Sequence, residues 1–133
     1  MTNNCVLILA ADSLEKLDVY YMFVKKNGWT SWGVGVKVKY KVPVRTPFDV
    51  YFCREKTIRY KAECFEIKGK GEVPLKDLPE QYSKNRTLYM NEFCIRKMDA
   101  MDKPLEEILS WNNPQKAIKF VRSVVYGTIP SNW

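Results

Sequence analysis

FDVYFCREKTIRYKAECFEI, residues 48–67, predicts a β-hairpin at the centre of the fold. Two strand patterns, 48–55 and 57–67, meet at a short turn near Lys56. From Ile58 to Cys64 apolar and charged residues alternate, which is the period of a strand with one buried face. The alternation slips at Cys64–Phe65, which indicates a β-bulge. The hairpin is the reference point for the elements on either side of it.

The segment before the hairpin, VGVKVKYKV at residues 34–42, has the cleanest alternation in the chain. Valines and a tyrosine share one predicted face, and Lys37, Lys39 and Lys41 share the other. Three lysines in a row repel one another, so this face is predicted to be exposed or to lie opposite phosphates. Prolines at 43 and 47 end the strand.

A strand and a helix are predicted at the start of the chain. Residues 5–9 form an apolar run that is typical of a buried strand. A helix follows, with Asp12 or Ser13 as N-cap and Gly28 as the stop; Glu15 stands where a capping box on Asp12 requires it. Apolar residues recur at helical spacing at positions 14, 17, 21 and 24.

Downstream of the hairpin the pattern is less regular. Glycines at 69 and 71 mark a loop, residues 74–82 a turn-like piece, and residues 87–95 a further strand. A short helix is predicted over residues 103–111, then a loop and a closing strand. The whole chain, residues 1–133, is thus one α+β domain: a small twisted β-barrel of five or six strands with flanking helices.

The charge distribution points to a polyanionic partner. The net charge is +7, and residues 25–71 contain 12 Lys/Arg against 4 Asp/Glu, while the rest of the chain is close to neutral. A concentration of cations in one third of a chain is typical of a nucleic-acid-binding surface; a solvated lysine-rich face is the alternative. No apolar run approaches the length of a membrane span, and the run at residues 5–11 lacks the flanks of a signal peptide. We therefore expect no membrane partner.

The residue inventory argues against an enzyme. Histidine is absent, which removes the commonest general base and most zinc sites, and no pair of carboxylates is suitably placed. We expect no cofactor and no metal. Cysteines 5, 53, 64 and 94 are far apart and lie in apolar or alternating segments, which indicates buried thiols in a reducing compartment, hence the cytoplasm.

The stretch GWTSWGVG, residues 28–35, places Trp29 and Trp32 three positions apart among small residues. Two interpretations are open: both tryptophans pack in the core, or at least one holds a flat ligand. Thr30 and Ser31 have hydroxyl groups that suit either the edge of a base or a turn.

The chain resembles the PUA-like superfamily, in particular its YTH and EVE branches. The likeness rests on segments in the family's order, which together make up about two thirds of the chain: CVLILAADSLEKL at 5–17, KKNGWTSW at 25–32, the hairpin at 48–67, FCIRKMDAMDKPLEEI at 93–108 and NNPQKAIKFVRSVVYGTIP at 112–130. Members of these branches hold a modified base of DNA or RNA in an aromatic cage. Some are target-reading modules of modification-dependent restriction systems.

The resemblance implies a non-enzymatic module that holds a flipped, methylated base, with basic residues gripping the phosphates. The candidate base-binding residues are Trp29, Trp32, Ser31, Asp12, Ser13 and Asn112. The candidate phosphate-binding residues are Lys37, Lys39, Lys41, Arg45, Arg54, Arg59, Lys61, Lys119 and Arg122. The chain departs from YTH domains at residues 68–78, where a second cage tryptophan is missing; Tyr82, Tyr89 and Trp111 are the candidate substitutes.

The expected partner is DNA or RNA with a modified base, and the resemblance leaves open an association with a larger motor or nuclease assembly. Two alternatives remain at this point. One is a PUA-like RNA-binding domain without modified-base specificity. The other is a basic interaction or scaffold domain for an acidic protein partner. Beyond these two, a carboxylate-dependent enzyme on an ASCH-like fold is a third hypothesis.

Overall fold

The computed structural model describes residues 5–34, 46–69, 71–83, 91–122 and 124–133. Within them the fold is α+β, as predicted, with a mixed seven-stranded sheet and two α-helices. The strands are β1 (Cys5–Ala10), β2 (Trp29–Val34), β3 (Phe48–Arg54), β4 (Thr57–Gly69), β5 (Asn91–Pro104), β6 (Leu109–Ser110) and β7 (Val124–Thr128). The helices are α1 (Leu14–Asn27) and the short α2 (Glu80–Ser83); 3-10 turns occupy Leu75–Asp77 and Leu105–Glu107.

The strand order is β2-β5-β4-β3-β1-β7-β6. Only β1 and β3 are parallel, and every other neighbouring pair is antiparallel. The predicted barrel is not confirmed, because among the described residues the sheet keeps β2 and β6 as its two edges. The strand count is also higher than predicted, since short pieces such as β6 pair without a recognisable pattern of their own.

Both faces of the sheet are covered, which explains why β1 is apolar throughout. Leu7 and Leu9 point towards α1, in a core that includes Leu17 of that helix. Val6 and Ile8 point to the opposite face, which residues 105–121 and the C-terminal end cover. A strand buried on both sides has no polar face, so its sequence cannot alternate.

The central hairpin forms as predicted, with Arg54 paired to Thr57 across a two-residue turn. Glu55 in this turn has φ 59°, the left-handed conformation that non-glycine residues seldom adopt. The predicted slip of β4 is confirmed by a register shift between Cys64 and Glu66, one of three in its pairing with β5. Such irregularities increase twist, and so they curve this long strand pair.

Helix α1 has the predicted ends. Ser13 is the N-cap, since its Oγ accepts from the Lys16 N–H at 3.1 Å. The alternative cap at Asp12 is thus wrong. At the other end Gly28 has φ 92°, and its N–H donates to the Val24 carbonyl at 2.8 Å. Glycine adopts this conformation without the steric cost of a side chain.

Two further expectations need correction. The strand expected to end at Ile95 runs on to Pro104, because its second half pairs with β4 as far as the Thr57–Pro104 pair and buries Met98. The predicted helix over residues 103–111 is a single 3-10 turn followed by β6. The predicted strand over residues 34–42 lies outside the described residues except for Val34.

All four cysteines are described and buried, and no disulfide joins them, as predicted. Burial raises the pKa of the Cys5 thiol to about 11 and that of the Cys64 thiol to about 12. Both thiols are therefore protonated and poorly nucleophilic near neutral pH. Of the helices in the described segments, none has both the length and the apolar character to cross a bilayer.

Gly127 fixes how the C-terminal segment packs on the sheet. A Cβ atom at this position would meet Ile108 Cγ2 at 2.6 Å and Ile118 Cδ1 at 3.0 Å. We expect Gly127→Ala to lower the free energy of unfolding by about 1–3 kcal/mol through overpacking. Gly69→Ala is the matched control, because its Cβ would meet only the flexible Glu72 side chain. Urea unfolding followed by circular dichroism gives both values, and equal effects would contradict the packing described.

Candidate nucleic-acid interface

A group of contacting aromatic rings lies where α1 crosses the sheet. Tyr20 of α1 meets Trp32 of β2 edge to face, with ring centroids 4.8 Å apart and planes at 60°. Phe52 of β3 contacts Trp32 from another side at 4.9 Å. Edge-to-face pairs of this kind stabilise by about 0.5–1.5 kcal/mol beyond their buried area. Trp32 is 4% exposed and is therefore part of the core as well as of this group.

Tyr82 completes the group from the loop region between β4 and β5. It lies in α2 and stacks on Tyr20 at 5.7 Å with an interplanar angle of 29°. The Lys16 ammonium lies over two rings at once, 4.7 Å from the centroid of Trp32 and 5.4 Å from that of Tyr82. We call Tyr20, Trp32 and Tyr82 the aromatic cluster and Lys16 its cover.

The position of Lys16 is informative because it lies in the first turn of α1. The helix macrodipole disfavours a cation at a helix N-terminus. Contact with two ring faces compensates, since the negative faces of aromatic rings attract cations. The aromatic cluster thus already has a charged group over its Trp32 and Tyr82 rings. An unusual lysine at the start of a helix is the sequence signal by which Lys16 could have been found.

Trp29 and Trp32 do not face each other. Positions three apart in a strand point to opposite faces of a sheet, and the structure follows this rule. Trp29 is half-buried and packs against Phe65 at 5.7 Å, in a small cluster with Val73 and Leu78. The two tryptophans consequently cannot form opposite walls of one pocket. The strand period of two was the signal that separates them.

The hydroxyl residues between the tryptophans are enclosed. Thr30 is fully buried, and its Oγ1 donates to the Asp77 carbonyl at 2.7 Å, which ties the 3-10 turn at Leu75–Asp77 to β2. Ser31 is fully buried as well. Ser13 is engaged as the cap of α1, whereas the neighbouring Asp12 is exposed.

Asn112 and Trp111 lie far along the strand order from the aromatic cluster. Both are exposed and follow β6, whereas Trp32 lies in β2 at the opposite edge of the sheet. Trp111 is held by its backbone N–H, which donates to the Tyr126 carbonyl at 3.2 Å. Tyr89, the remaining substitute for a cage wall, lies outside the described residues. Among the three substitutes, Tyr82 is the one that the described structure brings to Trp32.

The predicted phosphate contacts on the hairpin are each beside a carboxylate. Their side-chain nitrogens lie 3.7–3.8 Å from a carboxylate oxygen in three ion pairs: Arg54 with Glu55, Arg59 with Asp102, and Lys61 with Asp49. Exposed pairs of this kind contribute little to stability, so these cations remain available to a polyanion. Lys37, Lys39, Lys41 and Arg45 lie outside the described residues.

A second charged group lies on the neighbouring strands β4 and β5. Glu63 accepts from Arg96 Nε at 2.7 Å and has the Lys97 ammonium at 3.7 Å. The hydrogen bond from Arg96 lowers the pKa of the Glu63 carboxyl, with Lys97 adding to the effect. The Arg96 guanidinium also lies 4.9 Å from the Phe65 ring, which in turn packs on Trp29. This arrangement leaves Trp29 supported by a structural network.

Lys119 and Arg122 are exposed in the segment before β7, on either side of Phe120. With Arg54 and Lys56 of the hairpin turn, Arg122 lines an open cavity of about 480 Å³. Asp12 lines the same cavity. Lys56 and Phe120 were not predicted at this site, although the phenylalanine between two cations at 119–122 is visible in the sequence. No cluster of three or more candidate metal ligands occurs within the described ranges.

The similarity to known proteins lies in the fold. No protein family and no curated protein matches the sequence. The structure is similar to that of the YTH domain of the Zygosaccharomyces rouxii MRB1 protein, which was crystallised in complex with N6-methyladenosine RNA. The TM-score is 0.50 and the identity 14%, over 99% of this chain and 80% of the other. The chain therefore has a YTH-like fold, an α+β architecture that in that protein supports a binding domain.

Proposed function

We propose that this protein is an RNA-binding module that holds a methylated base against the aromatic cluster. The observation that carries the proposal is the Lys16 ammonium, which lies over both the Trp32 and the Tyr82 ring. One guest group can thus contact both rings, and a base that replaces the ammonium would stack on one ring and touch the other. The YTH-like fold supports the proposal, because the similar MRB1 domain was crystallised with N6-methyladenosine RNA.

Lys16 must leave the rings for a base to stack there. Lysine has a long, flexible stem, so the ammonium can swing into solvent or towards a phosphate while α1 stays in place. The displaced contact costs about 0.5–2 kcal/mol, and a base that stacks on the rings contributes about 1–3 kcal/mol. The midpoints of these two ranges favour the base by a modest margin, and burial of a methyl group increases it.

A methyl group selects the base through burial. Removal of one methylene-sized group from water stabilises by about 0.8 kcal/mol, which corresponds to a factor of about four in affinity. An unmethylated base lacks this stabilisation. We propose that Trp32 is the main wall, with Asp12 at the edge of the site, and that Arg54, Lys119 and Arg122 contact phosphates. Trp29 and Ser31 then have structural rather than base-binding roles, and Asn112 lies on the far edge of the sheet from the held base.

The test is a titration of four matched single strands, RNA and DNA, each with either adenine or N6-methyladenine at one position. A variant with Trp29, Trp111 and Trp133 replaced by Phe keeps Trp32 as its single tryptophan. We expect methylated RNA to quench Trp32 fluorescence and to bind at least about fourfold tighter than unmethylated RNA. Equal affinity for all four strands would reject the methylated-base assignment, and absence of binding at low salt would reject the RNA-binding module.

A further inference from the structure

The open cavity of about 480 Å³ lies outside the aromatic cluster and is built from three separate parts of the chain. The first part is the end of β1, where the Ala11 N–H donates to the Cys53 carbonyl at 2.9 Å. The second part is the hairpin turn, with Arg54 and Lys56, and the third is the segment with Phe120 and Arg122. Since β1 and β3 are parallel, their carboxyl ends open on the same side.

Phe120 is unusual on this surface because it is 67% exposed while its neighbours Ile118 and Val121 pack against the core. No aromatic contact to another described residue holds its ring. Lys119 and Arg122 flank it, and both are exposed. An apolar ring left in water between cations is typical of surfaces that stack the bases of single strands.

The charges around the cavity favour an anion. Arg54, Lys56 and Arg122 line it, against the carboxylates of Asp12 and Glu55. Glu55 is 3.7 Å from the Arg54 guanidinium in an exposed pair, so it offsets part of that charge. Two further cavities, of about 590 Å³ and 210 Å³, share lining residues with this surface: Lys116, Lys119 and Phe120 line the first, and Lys56, Lys119 and the carboxylate of Glu106 line the second. Cations therefore outnumber carboxylates around Phe120.

The start of α1 links the cavity to the aromatic cluster along the chain. Asp12 lines the cavity, Ser13 caps the helix, and Lys16 of the first turn covers Trp32 and Tyr82. Ala11, at the cavity wall, belongs to the same buried core as Trp32. A helix N-terminus between the two favours a phosphate that passes from one to the other.

We propose that this cavity is the subsite for a nucleotide that flanks the held base in single-stranded RNA. Its base stacks on Phe120, and its phosphate lies among Arg54, Lys56 and Arg122. The proposal rests on the proposed function for the identity of the strand. It concerns a different part of the surface, because Phe120 and the hairpin turn contact the flanking nucleotide, whereas the methyl group lies at the aromatic cluster.

The test measures the affinity of variants for methylated and unmethylated single strands and for an RNA duplex, by fluorescence anisotropy over a salt series. We expect Phe120→Ala to weaken both single strands equally, by at least about fivefold. Arg122→Gln should reduce the slope of log K against log salt by about 0.7. Glu55→Gln should tighten binding because Arg54 loses its counter-charge. Met22→Ala is the control, since Met22 is equally exposed, at 64%, on α1.

Three outcomes would overturn the subsite: wild-type affinity in Phe120→Ala, a loss confined to the methylated strand, or duplex binding as tight as single-strand binding. The outcomes separate this proposal from the proposed function. If Phe120→Ala weakens both strands but methylation has no effect, the subsite stands and the methylated-base assignment fails. If methylation matters but Phe120→Ala has no effect, the subsite alone is rejected.

Discussion

Trp32→Ala is expected to lower the free energy of unfolding by about 3–5 kcal/mol, a large part of the total stability of a domain of this size. The reason is that Trp32 is 4% exposed and fills the space between Tyr20 and Phe52. Alanine would remove both ring contacts and leave a cavity under α1. Urea unfolding followed by far-UV circular dichroism measures the change.

Trp29→Ala is the matched control, since it removes the same side chain from the same strand. Trp29 is half-buried and packs mainly on Phe65, so we expect a smaller loss of about 1–2 kcal/mol. If the two substitutions shift the unfolding midpoint equally, Trp32 does not occupy the core position described. If Trp32→Ala does not fold, Trp32→Phe keeps a ring at this site and provides an intermediate value.

The same burial determines how Trp32 can be tested as a ligand wall. A loss of RNA binding in Trp32→Ala would not separate a missing wall from a disturbed fold. Trp32→Phe keeps apolar volume while it reduces the stacking area, so it isolates the contribution of the indole. The two tryptophans of GWTSWGVG, residues 28–35, thus differ in role. Trp29 packs on one face of β2, whereas Trp32 combines a core role with the proposed base contact.

Short sequence patterns predicted the elements that are determined by neighbouring residues alone. The hairpin at residues 48–67 follows from its alternation, and α1 follows from the Ser13 cap and the Gly28 stop. The extension of β5 to Pro104 was not predictable, because its charged residues are typical of a loop. Their ion-pair partners lie on other elements and are not evident in the local sequence. Asp99 lies 3.7 Å from Lys25 and Asp102 lies 3.8 Å from Arg59, contacts made by α1 and β4.

The site was predictable only in part for the same reason. Tyr82 was a candidate only as a substitute for the missing cage tryptophan of the YTH resemblance, and its contact with Tyr20 depends on how α2 packs against α1, far away in the sequence. The cavity beside Phe120 needs β1, the hairpin turn and the segment before β7 together. No window of sequence contains these three parts. Barrel closure is equally non-local, since it requires pairing between strands at opposite ends of the order.

Tyr82→Ala is expected to abolish the preference for methylated RNA while the fold remains intact. Tyr82 is half-buried in the short α2, so its removal leaves the main core in place. One lost stack corresponds to a decrease of about five- to 150-fold in affinity for the methylated strand. The ratio of methylated to unmethylated affinity should fall towards one, because a base held by Trp32 alone leaves its methyl group in water.

Two variants make this result specific. Tyr82→Phe keeps the ring, so it should retain the preference and show that stacking, rather than the hydroxyl, is responsible. Trp111→Ala removes an exposed ring at the opposite edge of the sheet, and it should change neither affinity nor preference. A preference that persists in Tyr82→Ala, measured on protein with unchanged circular dichroism, would mean that the methyl group is not read between Trp32 and Tyr82. The aromatic cluster would then be part of the core, and Lys16 would be its permanent cover.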